Sequence, residues 1–248
     1  MSGSIIPTPT YKATDWQSFG TQVEKQRLGF IALSLTNYDN DSEPQIVAGS
    51  VVEISGSLFQ FSSNDSVSGT PVTDSINYIM LEVSGSGDSQ TVSGSWTTTA
   101  PTWNDAKQGW YDATGNKRYV AGCIYDGTYY NHKFLFDKHR DRLRDFTIEI
   151  GDWNMDSSTG LAVNHKLGNL YKNVRAIQII VRDDADSVYS NLNGSTSVGN
   201  TTGGTSTSGI TSTQIYLVRT ASGMYDNANY NSTSYNRGWI TVTVDIII

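Results

Sequence analysis

The sequence predicts an all-β protein, and two features of its composition lead to that prediction. It contains 23 glycines and only 5 prolines, together with 14 tyrosines and 6 tryptophans. Apolar and β-branched residues occur in short runs separated by Gly, Ser, Asn and Asp, which is typical of strands joined by tight turns. A chain of 248 residues holds one large domain or two small ones. We expect two antiparallel β-sandwich-like modules that follow an extended N-terminal arm.

The arm is predicted over residues 1–27. Pro7 and Pro9 disfavour a helix there, and the polar residues show no two-residue period. The arm nevertheless carries several large apolar side chains, which a free tail would leave in water. We therefore expect it to dock onto its own domain, a sister subunit or a larger assembly. The predicted anchoring residues are Ile5, Ile6, Trp16 and Phe19.

The first module is predicted over residues 28–136. Its strand-like runs alternate with turn residues, and they are GFIALSLTNY, SVVEISGSLFQFS, SINYIMLEVSG, KRYVAGCIY and YNHKFLFD. From Leu28 to Ala106 there are nine acidic residues and no Lys or Arg, whereas the whole chain has a net charge of −7. Such a surface repels nucleic acid and anionic membranes, and it would suit a basic partner or bound cations.

The second module is predicted over residues 147–248. Strands are predicted from FTIEIGDWNM, which places Phe146, Ile148 and Ile150 on one face, and from VRAIQIIVRDD and TQIYLVRT. VNHKLGNLYKNV predicts a turn or a single helical turn. Residues 190–209 are a long run of small polar residues, and a loop of that kind is usually functional or mobile.

The last run, GWITVTVDIII, alternates without interruption and predicts a strand in the interior of a sheet or of a subunit interface. The apolar residues of one face are Ile240, Val242, Val244, Ile246 and Ile248.

A charged connector, DKHRDRLRDF, is predicted over residues 137–146. If it is extended, it presents the basic residues Lys138, Arg140, Arg142 and Arg144 on one side. Two interpretations remain open at this point. The run is either a solvated connector, or a seam in which the basic row meets acidic groups of the other module or of a neighbouring subunit. Nucleic-acid binding is disfavoured, because three Asp residues interleave with the four cations.

The lack of recognisable catalytic motifs predicts a protein that is not an enzyme. The sequence has no G-x-S-x-G, no P-loop and no H-E-x-x-H, and its three histidines are scattered. Glu149 and Asp152 could form a glycosidase pair, but they lie on opposite faces of the predicted strand and its turn. Cys123 stands in the apolar run AGCIY and is interpreted as a small buried side chain. No catalytic, cofactor-binding or metal-binding residue is therefore predicted.

Two acidic clusters are candidates for calcium sites. One contains Asp39, Asp41 and Glu43, and the other contains Asp183, Asp184 and Asp186. Neither has the spacing of an EF-hand loop, and both lie at predicted strand ends, where Asp favours turns. We interpret them as turn residues, and we predict no metal site.

Aromatic residues in loops are the more informative feature. Trp103, Trp110 and Tyr111 lie in a loop rich in Gly, Asn and Asp, and DGTYYNHKF adds Tyr129 and Tyr130. The last such loop supplies the predicted surface-recognition residues Tyr225, Tyr230 and Tyr235, followed by Trp239. Exposed rings beside amides and carboxylates suit sugar recognition, and rings packed at loop bases or subunit contacts are the alternative.

Three stretches resemble modules that recur in structural proteins of tailed bacteriophages. They are APTWNDAKQGWYDATGNKRYVAGCIYDG with TYYNHKFLF after it, IGDWNMDSSTGLAVNHKLGNLYKNVRAIQIIVRDDAD, and TSTQIYLVRTASGMYDNANYNSTSYNRGWITV. The resemblance covers residues 100–248 apart from the loop 190–209, and residues 1–99 resemble no family. It brings no site residues with it.

The resemblance implies a virion fibre or spike protein, a homotrimer whose N-terminal part attaches to the capsid, neck or tail. Its distal module would contact the host surface, a glycan among the candidate partners, or the next virion component. The N-terminus lacks the basic start and apolar core of a signal peptide, which fits a virion assembled in the host cytoplasm. The alternatives are a polysaccharide depolymerase spike enzyme and a secreted carbohydrate-binding adhesin module.

Overall fold

A computed structural model describes residues 3–5, 35–36, 42–55, 57–86, 89–136, 141–192 and 209–247. In these ranges, strands account for nearly all of the regular structure, and all pairs of named strands are antiparallel. Helical structure in the same ranges consists of two short 3₁₀ segments, Gly168–Asn173 and Ala228–Tyr230, and of a 3₁₀ position at Ser89. The predicted all-β class is confirmed.

The chain divides into two compact units between Asp141 and Arg142, within the predicted connector. The connector had been expected to continue to residue 146. Residues 143–146 instead begin a strand of the second unit, because Phe146 is buried and pairs with Val242.

The first unit contains strands β1 to β12. They are β1 Gly3–Ile5, β2 Leu35–Thr36, β3 Gln45–Ile46, β4 Val51–Ile54, β5 Ser57–Gln60, β6 Asp65–Ser66, β7 Ser75–Ser84, β8 Thr91–Thr97, β9 Thr102–Asn104, β10 Gly109–Tyr111, β11 Arg118–Tyr125 and β12 Tyr130–Leu135. The larger sheet has the order β4-β5-β1-β8-β7-β11-β10-β9, with β12 also paired to β11, and the smaller sheet has the order β2-β3-β6.

Side chains from both sheets build the core of the first unit. Ile46 of β3 reaches across to β8 at Gly94, where a Cβ atom would lie 3.4 Å from the Ile46 Cδ1 atom. A glycine at that position leaves room for the branched side chain of the facing sheet. The buried residues of this core are Ile46, Val52, Ile54, Phe59, Phe61, Val67, Ile79, Leu81, Val92, Tyr111, Val120 and Ala121.

The second unit contains strands β13 to β18. They are β13 Leu143–Glu149, β14 Gly160–Asn164, β15 Val174–Arg182, β16 Tyr189–Asn191, β17 Gln214–Val218 and β18 Gly238–Asp245. Four of them form a sheet of order β13-β18-β15-β16, and β14 pairs with β17. The 3₁₀ segment Gly168–Asn173 falls where a turn or single helical turn was predicted.

Strand β18 lies between β13 and β15, which confirms the predicted interior strand. Its inward-facing residues Ile240, Val242 and Val244 are fully buried, and so is Ile246 just beyond its end. Ile248 lies outside the described residues. The outward positions carry Trp239, Thr241 and Thr243, so one face of the sheet is apolar and the other is mixed.

The predicted aromatic loop around Trp110 is in fact a hairpin of β9 and β10. Trp103 pairs with Trp110 across the two strands, and their rings meet edge to face with centroids 5.5 Å apart. Trp110 and Tyr111 are buried, so of the two interpretations left open by the sequence, packed rings apply here and exposed rings do not. The hydrophobic gain of burying two large rings outweighs the turn propensity of the surrounding Gly, Asn and Asp residues.

Candidate surface recognition site

The predicted anchoring residues lie mostly outside the described part of the chain. Ile5 is in β1, where its backbone pairs with Phe59 of β5. Ile6, Trp16 and Phe19 are outside the described residues. The anchoring role of the arm therefore stays a prediction.

The predicted basic row is described at two of its four positions. Lys138 and Arg140 lie outside the described residues. Arg142 binds Asp245 with two contacts, Nε to Oδ1 at 3.0 Å and Nη2 to Oδ2 at 2.9 Å. Arg144 donates from Nη1 to the carbonyl of Leu143 at 2.8 Å. The Arg142 contacts fasten the start of β13 to the end of β18, whereas the Arg144 bond stays within β13. The wider seam between modules or subunits stays a prediction.

Two of the three predicted recognition tyrosines are buried. Tyr225 and Tyr230 have 1% and 5% of their surface exposed, and their rings meet edge to face with centroids 5.3 Å apart. The surrounding Asn and Asp residues make the turns, as when Asn227 accepts a hydrogen bond from the backbone N–H of Asn229. The two rings face inward and support this loop, so their assignment to surface recognition is corrected.

The third tyrosine, Tyr235, belongs to an alternating stack that we call the arginine–aromatic ladder. The ladder runs through Tyr230, Arg237, Tyr235, Arg182, Trp239 and Tyr189. The Arg237 guanidinium lies 5.5 Å from the Tyr230 ring centroid and 5.2 Å from that of Tyr235. The Arg182 guanidinium lies 4.4 Å from the Tyr235 centroid and 5.2 Å from that of Trp239. Each cation therefore lies within cation–π range of two rings.

Backbone contacts fix the two arginines of the ladder. Arg237 is fully buried, and it donates from Nε to the Trp153 carbonyl at 3.1 Å and from Nη1 to the Arg182 carbonyl at 2.8 Å. Arg182 donates from Nε to the Asn236 carbonyl at 2.8 Å. These bonds tie the segment before β18 to the end of β15.

Two aspartates balance the charges of the ladder. The Asp184 Oδ1 atom lies 2.6 Å from Nη2 of Arg237, a contact that is an ion pair without good hydrogen-bond alignment. Asp186 pairs with Nη1 of Arg182 at 2.9 Å and accepts a hydrogen bond from the Tyr235 hydroxyl. Burial, together with the hydrogen bond to Asp186, raises the pKa of Tyr235 to about 12, so this hydroxyl stays protonated at neutral pH.

The acidic cluster of Asp183, Asp184 and Asp186, a candidate calcium site in the sequence, stabilises the same loop. Asp183 accepts from the Ser187 hydroxyl and from the backbone N–H groups of Ser187 and Val188, and these bonds lower the pKa of its carboxyl group. The Asp184 Oδ2 atom accepts from two backbone N–H groups, those of Asn231 and Ser232. Across the described ranges, no group of three His, Cys, Asp or Glu side chains could hold a metal ion. Asp39 and Asp41 of the other cluster lie outside those ranges.

The outer end of the ladder is the exposed aromatic surface of the second unit. Tyr189 is 53% exposed, and its ring is parallel to that of Trp239, with an interplanar angle of 2° and centroids 6.1 Å apart. In the sheet register, Tyr189 is opposite Arg182, and Trp239 is opposite both Ile180 and Glu149. Residues opposite one another point to the same face, so all five lie on the outer face of the sheet.

Sequence reasoning missed Tyr189 because it lies in a strand of only three residues. A signal for it was nevertheless present. The run VRAIQIIVR predicts a strand, and the turn residues DDADS after it predict a hairpin that would return Tyr189 alongside Arg182.

The structure describes both members of the candidate carboxylate pair and the single cysteine. Glu149 is exposed on the outer face of β13, and Asp152 forms an isolated bridge with Asn236. Cys123 is fully buried, and burial raises the pKa of its thiol to about 12, which keeps the thiol protonated at neutral pH. His165 is also buried, and burial lowers the pKa of its imidazole.

Among the described residues, no helix has the length and apolar character needed to cross a membrane. No family model, no curated protein and no solved structure matches this chain.

Proposed function

We propose that this chain is a structural component of a tailed-bacteriophage virion, a homotrimeric fibre or spike protein. Its N-terminal arm attaches to the capsid, neck or tail, and its C-terminal unit presents a surface to the host or to the next virion component. The proposal begins from the resemblance of residues 100–248, apart from the loop 190–209, to modules of such proteins.

The observation that supports it most is the structural use of the arginines in the second unit. Arg219 is 4% exposed, donates to the carbonyls of Met155 and Asp156, and pairs with Asp226 at 2.8 Å. Arg237 and Arg182 brace the neighbouring loop in the same way. Long loops fixed onto a sheet by buried cations suit a part that presents a rigid surface.

A second candidate function, a carbohydrate-binding module, shares this rigid surface and is favoured by the exposed Tyr189 ring, which stacks on the half-buried Trp239. It differs in location, because a secreted module would not be part of a particle.

The enzyme alternative, a polysaccharide depolymerase, would instead be detected as a loss of polymer length when the purified chain is incubated with capsular polysaccharide.

The test is the protein content of purified particles. Phage particles released from the bacterium that carries this gene are banded twice in a density gradient, and their peptides are identified by mass spectrometry. We expect peptides of this chain to co-purify with the major capsid protein, and light scattering of the purified chain to give three times its mass of 27.1 kDa. Peptides confined to the soluble fraction of the lysate would contradict the virion assignment, and a solution mass of one chain would contradict the trimer.

A further inference from the structure

We propose that the exposed ring of Tyr189, stacked on Trp239 at the outer end of the ladder, forms a binding platform for a neutral glycan. The platform is the outer face of the sheet around these two rings, where Tyr189 is opposite Arg182 of β15 and Trp239 is opposite Ile180 of the same strand. The inference rests on the proposed function, because it names the class of partner that the presented surface would take. Sugar rings bury their C–H groups against aromatic faces, and their hydroxyl groups bond polar side chains at the margin.

The rings are fixed before any ligand arrives. Trp239 packs on the Arg182 guanidinium, which itself is held by the Asn236 carbonyl and by Asp186. Tyr189 is parallel to Trp239 within 2°. A ligand that binds preordered rings loses little free energy to the ordering of side chains, which favours weak ligands such as sugars.

The charge balance of the ladder favours a neutral ligand. The two cations, Arg182 and Arg237, are each paired with one carboxylate, so the ladder contributes no net charge. Glu149, exposed and opposite Trp239, adds a negative charge to the margin of the platform. An acidic polysaccharide would be repelled there, whereas the Glu149 carboxylate can accept hydrogen bonds from uncharged hydroxyl groups.

The remaining outer face supplies amide and hydroxyl groups. Gln178 is exposed on β15 opposite Thr241, and Thr241 is opposite Thr147 on β13. An amide donates and accepts hydrogen bonds at once, as sugar hydroxyl groups require.

The composition of this face disfavours a protein partner. Its large apolar residues lie at opposite ends, with Ile180, Tyr189 and Trp239 at one end and Leu143 at the other. The rows between them carry threonine, glutamine and aspartate, so the face has no continuous apolar centre. A stable protein interface buries about 1,200–2,000 Å² in total around an apolar centre, which this end of the sheet does not offer. A small ligand with both C–H faces and hydroxyl groups matches it better.

The experiment uses the full-length chain on a printed array of purified bacterial surface polysaccharides together with neutral and sulfated oligosaccharides. We expect binding to neutral glycans, and we expect Tyr189→Ala to weaken it about tenfold, the effect of losing one stacking ring. Tyr189→Phe keeps the ring and should retain the affinity. Tyr216→Ala is the matched control, because Tyr216 is a partly exposed tyrosine on β17 of the same unit.

A second variant, Glu149→Ala, removes an exposed acceptor beside Trp239 and should weaken binding several-fold without altering the fold. Circular dichroism and the melting temperature verify the folding of each variant. Three results would overturn the inference. They are failure to bind any glycan, binding restricted to sulfated glycans, and full affinity in Tyr189→Ala. A change of solution mass in Tyr189→Ala would also overturn it and would assign this face to a contact between copies.

The outcome separates the two proposals. If particles contain the chain but Tyr189→Ala binds glycans normally, the platform is wrong and the virion assignment stands. If the platform binds as expected but purified particles lack the chain, the virion assignment is wrong and the site remains.

Discussion

Arg237 is a fully buried cation that joins three parts of the second unit. It pairs with Asp184, donates to the carbonyls of Trp153 and Arg182, and lies between the rings of Tyr230 and Tyr235. A buried charge is costly unless its contacts are retained, so removing one partner leaves the other uncompensated. The stability of this loop therefore depends on the complete set of contacts.

The first prediction concerns Arg237→Ala. We expect it to lower the free energy of unfolding by roughly 3–5 kcal/mol, because Asp184 and two carbonyls lose their cation. The control is Arg175→Ala, whose side chain is 56% exposed and whose pair with Asp245 is worth about 0–1 kcal/mol. Urea denaturation of the two variants measures both values. A loss below about 1 kcal/mol in Arg237→Ala would show that the ladder carries little stability.

His165 couples the second unit to pH. Its Nδ1 atom accepts from the Leu167 backbone N–H at 2.9 Å, so its Nε2 atom carries the proton and donates to the Thr211 carbonyl at 3.0 Å. Protonation of Nδ1 would break the first bond inside a buried site. Burial lowers the pKa of the imidazole below its ordinary value of 6.5. Between the two pKa values the unfolded chain binds more protons than the folded chain, so stability falls as pH drops below 6.5.

The second prediction follows from this loss of stability at acidic pH. The melting temperature of the wild-type chain should decrease from about pH 7.5 to about pH 5.5, and His165→Gln should show a smaller decrease over the same range. Burial raises the pKa of Asp112, but hydrogen bonds to its carboxylate outweigh this effect and lower the pKa. Hydrogen bonds also lower the pKa of Asp183. Both carboxylates therefore lose their stabilising contribution only below pH 3.8, the ordinary pKa of Asp. They therefore do not contribute within this window. Equal decreases in the two proteins would rule out His165 as the titrating group.

At the scale of the element, the junction of β15 and β18 depends on Gly238. Its φ of +145° is unfavourable for residues with a side chain, and a Cβ atom there would collide with the Ile180 carbonyl oxygen. The close approach lets β18 begin beside Val181 while Arg237 is directed into the ladder.

The third prediction is that Gly238→Ala destabilises the protein by more than about 3 kcal/mol, because the two strands must separate at Ile180. Gly151→Ala is the control. Gly151 also has a positive φ, +78°, but a Cβ atom added to it would meet nothing within 4 Å, so only the backbone cost of about 1–2 kcal/mol applies. Similar losses for both variants in urea denaturation would contradict the proposed steric contact.

The strands with a strong period were predictable from the sequence, and those with small polar residues were not. β18 was found because Ile240, Val242 and Val244 alternate with polar residues. β8 was missed because Thr91–Thr97 contains Ser and Gly, and the space over Gly94 is filled by Ile46 from a distant part of the chain. Short-range patterns hold no information about such a partner.

An aromatic recognition surface was predicted from the sequence, but the tyrosine that is exposed on it was not. The abundance of tyrosine near the end of the chain indicated an aromatic surface, but local turn chemistry does not determine which way a ring faces. Tyr225 and Tyr230 are buried at the loop base, whereas Tyr189 is exposed through its register with Arg182. That register depends on the pairing of β15 with β16, which is a tertiary feature.

At the scale of the whole molecule, the chain forms two all-β units, which we propose to be parts of one virion component. The first unit is held by a core between two sheets and by the buried pair of Arg118 and Glu53, with Nη1 and Oε2 2.6 Å apart. The second unit is held by its central strand and by the ladder. Rigid units of this kind suit presentation of a surface outside a particle.

The most direct test of the virion assignment is immunogold electron microscopy of intact particles, with antibodies raised against residues 142–247. We expect gold at a discrete fibre, spike or neck position on particles that carry the wild-type gene, and no gold on particles from which the gene has been deleted. Particles that are complete and infective but bear no label in either case would contradict the central claim.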